Sequence, residues 1–266
     1  LVGAGAAGIG IARLLRLAML EAELSEADIR ASVALVDSIG LVHAGRTDLD
    51  PAKSAVAVEP VAGPTPSLLE TVRSRRPTVL VGTTGVAGTF TRDVVEAMVA
   101  GLDPNQRPII LPLSNPTANA EATPGLLLDW TRGRALVATG SPFDPVTTSR
   151  GRQVIGQANN VFIFPGVGLG AIVAEARLIT DRMFLLAAHE LARSVTDERL
   201  ATGALYPPVA DLRAVSRRIA IAVAREAGGL DDVEAAVEAA MWWPAYVPYL
   251  PLRPGERRRV AESRDR

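Results

Sequence analysis

Four short runs in this chain are apolar at nearly every position. They are ASVALVD (residues 31–37), TVLVG (78–82), PIILPLSNP (108–116) and ALVATG (135–140). A strand with one face in water alternates apolar and polar residues, whereas a strand apolar throughout is covered on both faces. Between these runs lie stretches with helical spacing. IGIARLLRLAMLEAEL (9–24) is rich in good helix formers, and SEADIRAS is read as the connection after it. PSLLETVRSRRP is a helix stopped by Pro77. TRDVVEAMVAG has Thr91 as its cap and Gly101 as its close, and another helix starts at Thr123-Pro124, a cap residue followed by Pro in the first turn. Strand, helix, strand, helix with buried strands predicts an α/β fold, a Rossmann-like doubly wound parallel sheet in the order 3-2-1-4-5-6.

Beyond Gly170 the pattern is helical only. Three helices are expected, over 171–195, 208–227 and 231–243. No internal repeat or linker divides the chain. The expectation is a single domain over 1–266, with a doubly wound core over about 1–170 and a mostly helical part over about 171–266.

At 48 % hydrophobic residues the chain has ample material for a core, and a net charge of −1 gives it no electrostatic hold on nucleic acid. The absence of cysteine excludes disulfides, thiolate metal sites and Cys nucleophiles, and fits a cytoplasmic protein. Residues 153–174 carry no charge, but Gln157, Asn159, Asn160 and Pro165 lie inside them, so a buried strand, turn and helix is expected rather than a membrane span. The tail ERRRVAESRDR mixes both signs and reads as solvated. Lys53 is the only lysine, so any lysine base must be Lys53. His43 and His189 sit in apolar surroundings and read as structural.

The candidate site residues lie where strands end. Gly3, Gly5 and Gly8 fit G-x-G-x-x-G at the start of a helix, where a pyrophosphate meets free N–H groups and the positive dipole end. Asp37 ends the second strand, where a carboxylate accepts from adenosine ribose hydroxyls. A turn-capping Asp is the alternative. VGTTGVAGTF (81–90) is a second glycine-rich loop after a strand. In LSNPT, Asn115 offers a carboxamide that donates and accepts, and GQANNVFIFPG places Asn159 and Asn160 before an apolar run read as a strand. These loops converge on the carboxyl edge of the sheet, where ligands bind in open α/β folds.

Together the motifs resemble the NAD(P)-binding half of malic enzymes of the long-subunit type. The resemblance rests on GAGAAGIGIA, LVDSIGLVHAGR, VGTTGVAGTFTRDVVEAM, RPIILPLSNPTANAEATP, ATGSPFDPV, GQANNVFIFPGVGLGAIVAEARLITDRM and LYPPVADLRAVSRRIA. MWWPAYVPYLP also looks like that family's C-terminal segment. The resemblance implies oxidative decarboxylation of malate to pyruvate and CO2, with hydride passing to NAD or NADP and a divalent Mg or Mn ion assisting. It implies a cofactor site of Gly3, Gly5, Ala6, Ala7, Gly8, Asp37, Ser38, Gly82, Thr83, Thr84, Gly85, Ser114 and Asn115. Asn115, Asn159 and Asn160 are implied to reach toward malate and the nicotinamide. Arg46 and Lys53 would favour a 2′-phosphate, and Asp37 leans toward NAD.

The family's catalytic Tyr and Lys, its substrate arginine and its three metal-binding carboxylates lie upstream of the glycine loop. This resemblance therefore implies no catalytic and no metal residue in residues 1–266. Asp37, Asp144 and Glu175 are the candidate replacement ligands, but no pair has metal-ligand spacing. Ala158 stands where the family usually has Gly. Leu1 lies two residues before the first glycine, so the expectation is a cut through a central strand, leaving a marginally stable, association-prone chain without turnover of its own. The implied partners are malate or pyruvate, an N-terminal domain and further copies of the intact protein. Two other readings stay open on the residues, a nucleotide domain of an amino-acid dehydrogenase and a non-catalytic binding module.

Overall fold

The computed structural model describes residues 1–244. Helix α1 (Ala6–Glu21) starts where Gly5 is extended and buries Gly8 and Ala12. Helix α2 (Glu26–Ser32) corrects the expectation of a plain connection. Ser25 accepts from the Asp28 N–H as its cap, and Glu26 and Asp28 place negative charge in its first turn. Because α2 continues to Ser32, the second strand does not begin at Ala31.

Val36 lies parallel to Val2, and Val2 lies parallel to Gly82 on its other side. The Val36 N–H donates to Leu1 O at 2.9 Å, and the Val2 N–H donates to Val81 O at 2.7 Å. The first strand is thus central and paired on both sides. The third segment keeps its expected place beside the second but not its expected direction, since Leu41 returns antiparallel to Val36. Four residues, Asp37 to Gly40, separate the two, and a parallel return needs a crossover of a dozen or more. His43 then bridges Val58 in parallel, around α3 (Pro51–Val56), which Asp50 caps.

Helix α4 (Leu68–Arg75) opens with a capping box of Ser67 and Glu70 and ends at a left-handed Arg76, just before Pro77. It leads into β1 (Val79–Gly82), then α5 (Arg92–Ala100), β2 (Ile109–Pro112), α6 (Pro124–Trp130) and β3 (Leu136–Thr139). Thr91 and Thr123 cap α5 and α6 as expected. A hairpin of β4 (Val146–Thr148) and β5 (Gly151–Gln153) precedes β6 (Gly156–Gln157). Strands β1, β2, β3 and β6 pair in that order, all parallel. Under them Leu80, Phe90, Val95, Met98, Ile110, Leu127 and Val137 form one core cluster with Val2.

After β6 a short 3-10 turn over Asn160–Phe162 leads into α7 (Phe164–Val173), correcting the strand expected after Asn160. Pro165 suits a helix's first turn, and Gly166 and Gly170 form one small-residue face. A Cβ on Gly166 would stand 2.6 Å from the Ile219 Cβ, and one on Gly170 would stand 2.5 Å from Ala220 O. The single helix expected over 171–195 is two. Glu175 takes a left-handed conformation, and Thr180 caps α8 (Asp181–Arg193). Helices α9 (Asp197–Ala201), α10 (Leu212–Ala227) and α11 (Val233–Ala240) follow. Phe162 of the 3-10 turn joins Val167, Met183, Val215, Ile219 and Val223 of α7, α8 and α10 in a second core cluster. Trp242 and Trp243 lie beyond α11 rather than within it, and Arg213 stacks on Trp243 at 3.8 Å. The AYVPYLP stretch from residue 245 and the arginine-rich tail lie outside the described residues. No described helix is long and apolar enough to cross a membrane.

Candidate functional site

The parallel strands bring their carboxyl ends to one edge. The turn after Val2 leads into α1 on one side of the first strand, and β1 lies on the other. The crevice between them is the topological switch point of the sheet.

Gly3 has φ +107°, and a Cβ there would lie 2.6 Å from Thr83 O. Thr83 Oγ1 lies 3.1 Å from Gly3 O, to which it donates, so the first two loops are joined directly. A Cβ on Gly8 would run into Gly3 O, which fixes how closely α1 packs on the strand. Gly5 differs, because nothing lies within 4 Å of a Cβ built there. No side chain caps α1, and Gly5, Ala6 and Ala7 are exposed. An open surface at an uncapped helix start, walled by glycine backbone, fits a pyrophosphate.

The Asp37 side chain is only 7 % exposed and is surrounded by donors. Oδ1 accepts from the Ile39 and Gly40 amides at 3.0 and 3.2 Å. Arg46 bonds both oxygens, at 2.9 and 3.0 Å, and Lys53 Nζ donates to Oδ2 at 2.9 Å. Burial pushes the carboxyl up, but the bonds from Arg46, Lys53 and the two amides outweigh it and hold Asp37 well below the usual carboxylate range. Asp48 and Asp37 together hold the Arg46 guanidinium above its ordinary value. The cations expected near Asp37 are therefore its own partners, and the turn-capping role of Asp37 is present as well. Ser38 follows on the exposed surface of the same turn.

The loop Gly82 to Gly85 and the segment Leu113 to Asn115 meet over one buried acid. Thr84 donates to Glu121 Oε1 from its amide at 2.8 Å and from its hydroxyl at 2.9 Å. Ser114 donates to Glu121 from its hydroxyl and, at 3.3 Å, from its amide. The Gly85 amide donates to Ser114 Oγ at 2.8 Å.

Asn115 is exposed, and its Oδ1 accepts from the buried Ser141 hydroxyl, leaving the carboxamide nitrogen directed by that bond. Asn159 Oδ1 accepts from the Val161 amide at 2.9 Å as the cap of the 3-10 turn. Asn160 is exposed. All three stand at the carboxyl ends of β2 and β6, beside the end of β3.

His43 is buried, with Nδ1 accepting from the Gly45 amide at 3.2 Å and Nε2 beside Thr65 Oγ1, a structural role. Asp144 and Glu175 are exposed. Among the described residues no three His, Asp or Glu side chains are grouped to hold a metal ion. Sequence reasoning missed Glu121 and Ser141. Glu121 sits among small residues in TANAEATP, and an acid there looks like an ordinary exposed turn residue. Its only signal is that it follows a loop already singled out.

A family model described as the malic enzyme NAD binding domain matches residues 1–228. An NAD-dependent malic enzyme of Pseudomonas aeruginosa is 40 % identical over 264 residues, covering 93 % of this chain and 46 % of the relative. An NADP-dependent malic enzyme of Dictyostelium discoideum is 41 % identical over 254 residues, covering 92 % and 46 %. NADP-dependent malic enzyme 2 of Arabidopsis thaliana is 41 % identical over 259 residues, covering 93 % and 43 %. The chain thus spans less than half the length of these relatives, and relatives of both cofactor types match it equally well. With the parallel sheet, the glycine cradle and the match over residues 1–228, the chain belongs to the malic enzyme family and carries its NAD-binding domain.

Proposed function

We propose that this chain binds NAD or NADP along the carboxyl edge and forms the cofactor half of a malate-oxidising, decarboxylating enzyme. The observation that carries the reading is the open cradle at Gly5, where an uncapped α1 meets backbone packed too tightly at Gly3 and Gly8 for any side chain. In this reading the amides of Gly5, Ala6, Ala7 and Gly8 hold the pyrophosphate. Asp37 and Ser38 face the adenosine ribose. Lys53, the more exposed of the two cations, releases Oδ2 to ribose hydroxyls or stays to meet a 2′-phosphate. Thr83, Thr84, Gly85, Ser114 and Asn115 line the path of the second nucleotide half.

When bound, the nicotinamide accepts hydride from C2 of malate. Asn115, Asn159 and Asn160 orient the substrate and the carboxamide through hydrogen bonds. The acid, the base and the metal ligands come from the remainder of a longer protein, which also assembles as a homo-oligomer. The described residues alone bind dinucleotide without turning over malate.

Calorimetric titration of the chain with ADP, NAD, NADP and NADH tests the binding reading, and absence of any binding sinks it. Incubation with malate, Mn and each dinucleotide tests the second part. The expected result is no pyruvate, and metal-dependent pyruvate formation refutes it.

A further inference from the structure

We infer that Glu121 is the positioning residue for the nicotinamide side of the edge, clamping the Gly82–Gly85 loop to the Leu113–Asn115 segment. The ligand half of this inference rests on the dinucleotide reading; the clamp does not.

Glu121 is fully buried, with 0 % of its surface exposed. Its side-chain partners among the described residues are Thr84 and Ser114, and neither is a cation. Taking an acid out of water with no cation is costly, and an apolar side chain of that size would fill the space at lower cost. What the acid supplies instead is four acceptor contacts in one place. Thr84 and Ser114 each donate from the amide and from the hydroxyl. Because both hydroxyl protons point to the carboxylate, the hydroxyl lone pairs face the loop. There Ser114 Oγ accepts from the Gly85 amide and Thr84 Oγ1 accepts from the Val86 amide at 3.1 Å.

Space for this arrangement comes from Gly82, where a Cβ would lie 2.5 Å from the Glu121 Cδ. The Glu121 backbone carbonyl accepts from the Phe90 amide at 3.1 Å, so the far end of the same loop is tied to the same residue. In a doubly wound sheet the second βαβαβ half carries the second mononucleotide. Both clamped segments belong to that half; the first meets the glycine loop at Gly3 through Thr83, and neither hydrogen-bonds Asp37, whose partners are Ile39, Gly40, Arg46 and Lys53. Loss of the clamp therefore loosens the nicotinamide side and leaves the adenosine side in place.

The test is Glu121→Gln in this chain. Its amide N–H groups would face donors. Amide exchange at Thr84, Gly85 and Ser114 is expected to rise about tenfold or more, with the Ile219 to Val223 amides of α10 unchanged. NADH affinity is expected to fall about tenfold, and ADP affinity to stay within about twofold. Should that variant not fold, Ser114→Ala, which removes one donor and the acceptor for Gly85, is expected to give the same split. Retained protection of both segments overturns the clamp, as does a parallel loss of ADP and NADH affinity. A wild-type chain that binds neither nucleotide refutes the dinucleotide reading instead, and the exchange rates then decide the clamp alone.

Discussion

Lys53 Nζ stands 2.9 Å from Asp37 Oδ2, so the chain's one lysine is committed to the carboxylate that ends the second strand. Arg46 takes the same carboxylate from the other side, with its own side chain only 3 % exposed. Asp37→Asn breaks this cluster while Arg46 keeps Asp48. The expected cost is on the order of 2 to 3 kcal/mol, below that of a fully broken buried pair, measured by urea unfolding at neutral pH.

The same cluster sets a pH dependence. An unfolded Asp takes up its proton near pH ~4, while folded Asp37 stays ionised well below that. Its stabilisation is therefore complete at neutral pH and is lost progressively as pH falls below about 4. Urea midpoints measured downward from neutral pH should fall more steeply in the wild type than in Asp37→Asn. Equal slopes would show that the cluster is not what senses acid.

Two glycines of one motif are expected to behave oppositely. Gly8→Ala drives a methyl into Gly3 O, so the variant loses stability and soluble yield. Gly5→Ala meets nothing within 4 Å and should melt with the wild type, while its dinucleotide affinity falls about tenfold, because the methyl occupies the anion's approach. Thermal melts and titrations of the two variants check the contrast.

A second pair tests the helical part. Gly170→Ala pushes α7 away from Ala220 O and should cost about 1 to 3 kcal/mol. Gly168→Ala, in the same helix with open space around it, should be neutral or stabilising by up to about 1 kcal/mol.

Much of the α/β half was legible because its signals are local. Strands β1, β2 and β3 stand inside the apolar runs, and the Thr91 and Thr123 caps read directly from residue type. The glycine loop was legible because its spacing encodes backbone contact rather than side-chain chemistry. Other features depend on partners distant in sequence. Helix α7 forms where its glycines meet Ile219 and Ala220, and before that contact is known FIFPGVGLG reads as easily as a strand. The break at Glu175 carries no Gly or Pro, although Thr180 before Asp181 is a cap pattern. Glu121 is buried by residues from other loops, and nothing adjacent to it shows that. The partners of Asp37 were in view as cations, but their distances were needed to show that they are already engaged.

The most direct measurement is backbone amide mapping of the chain, by nuclear magnetic resonance or by exchange, during titration with NADH. Binding across the carboxyl edge should perturb the amides of residues 3–8, 37–38, 83–85 and 114–115 together, and leave the α8 and α10 amides of the helical part unchanged. Saturable binding that leaves those four segments unperturbed, or that perturbs the opposite edge of the sheet, would contradict the assignment of the dinucleotide site.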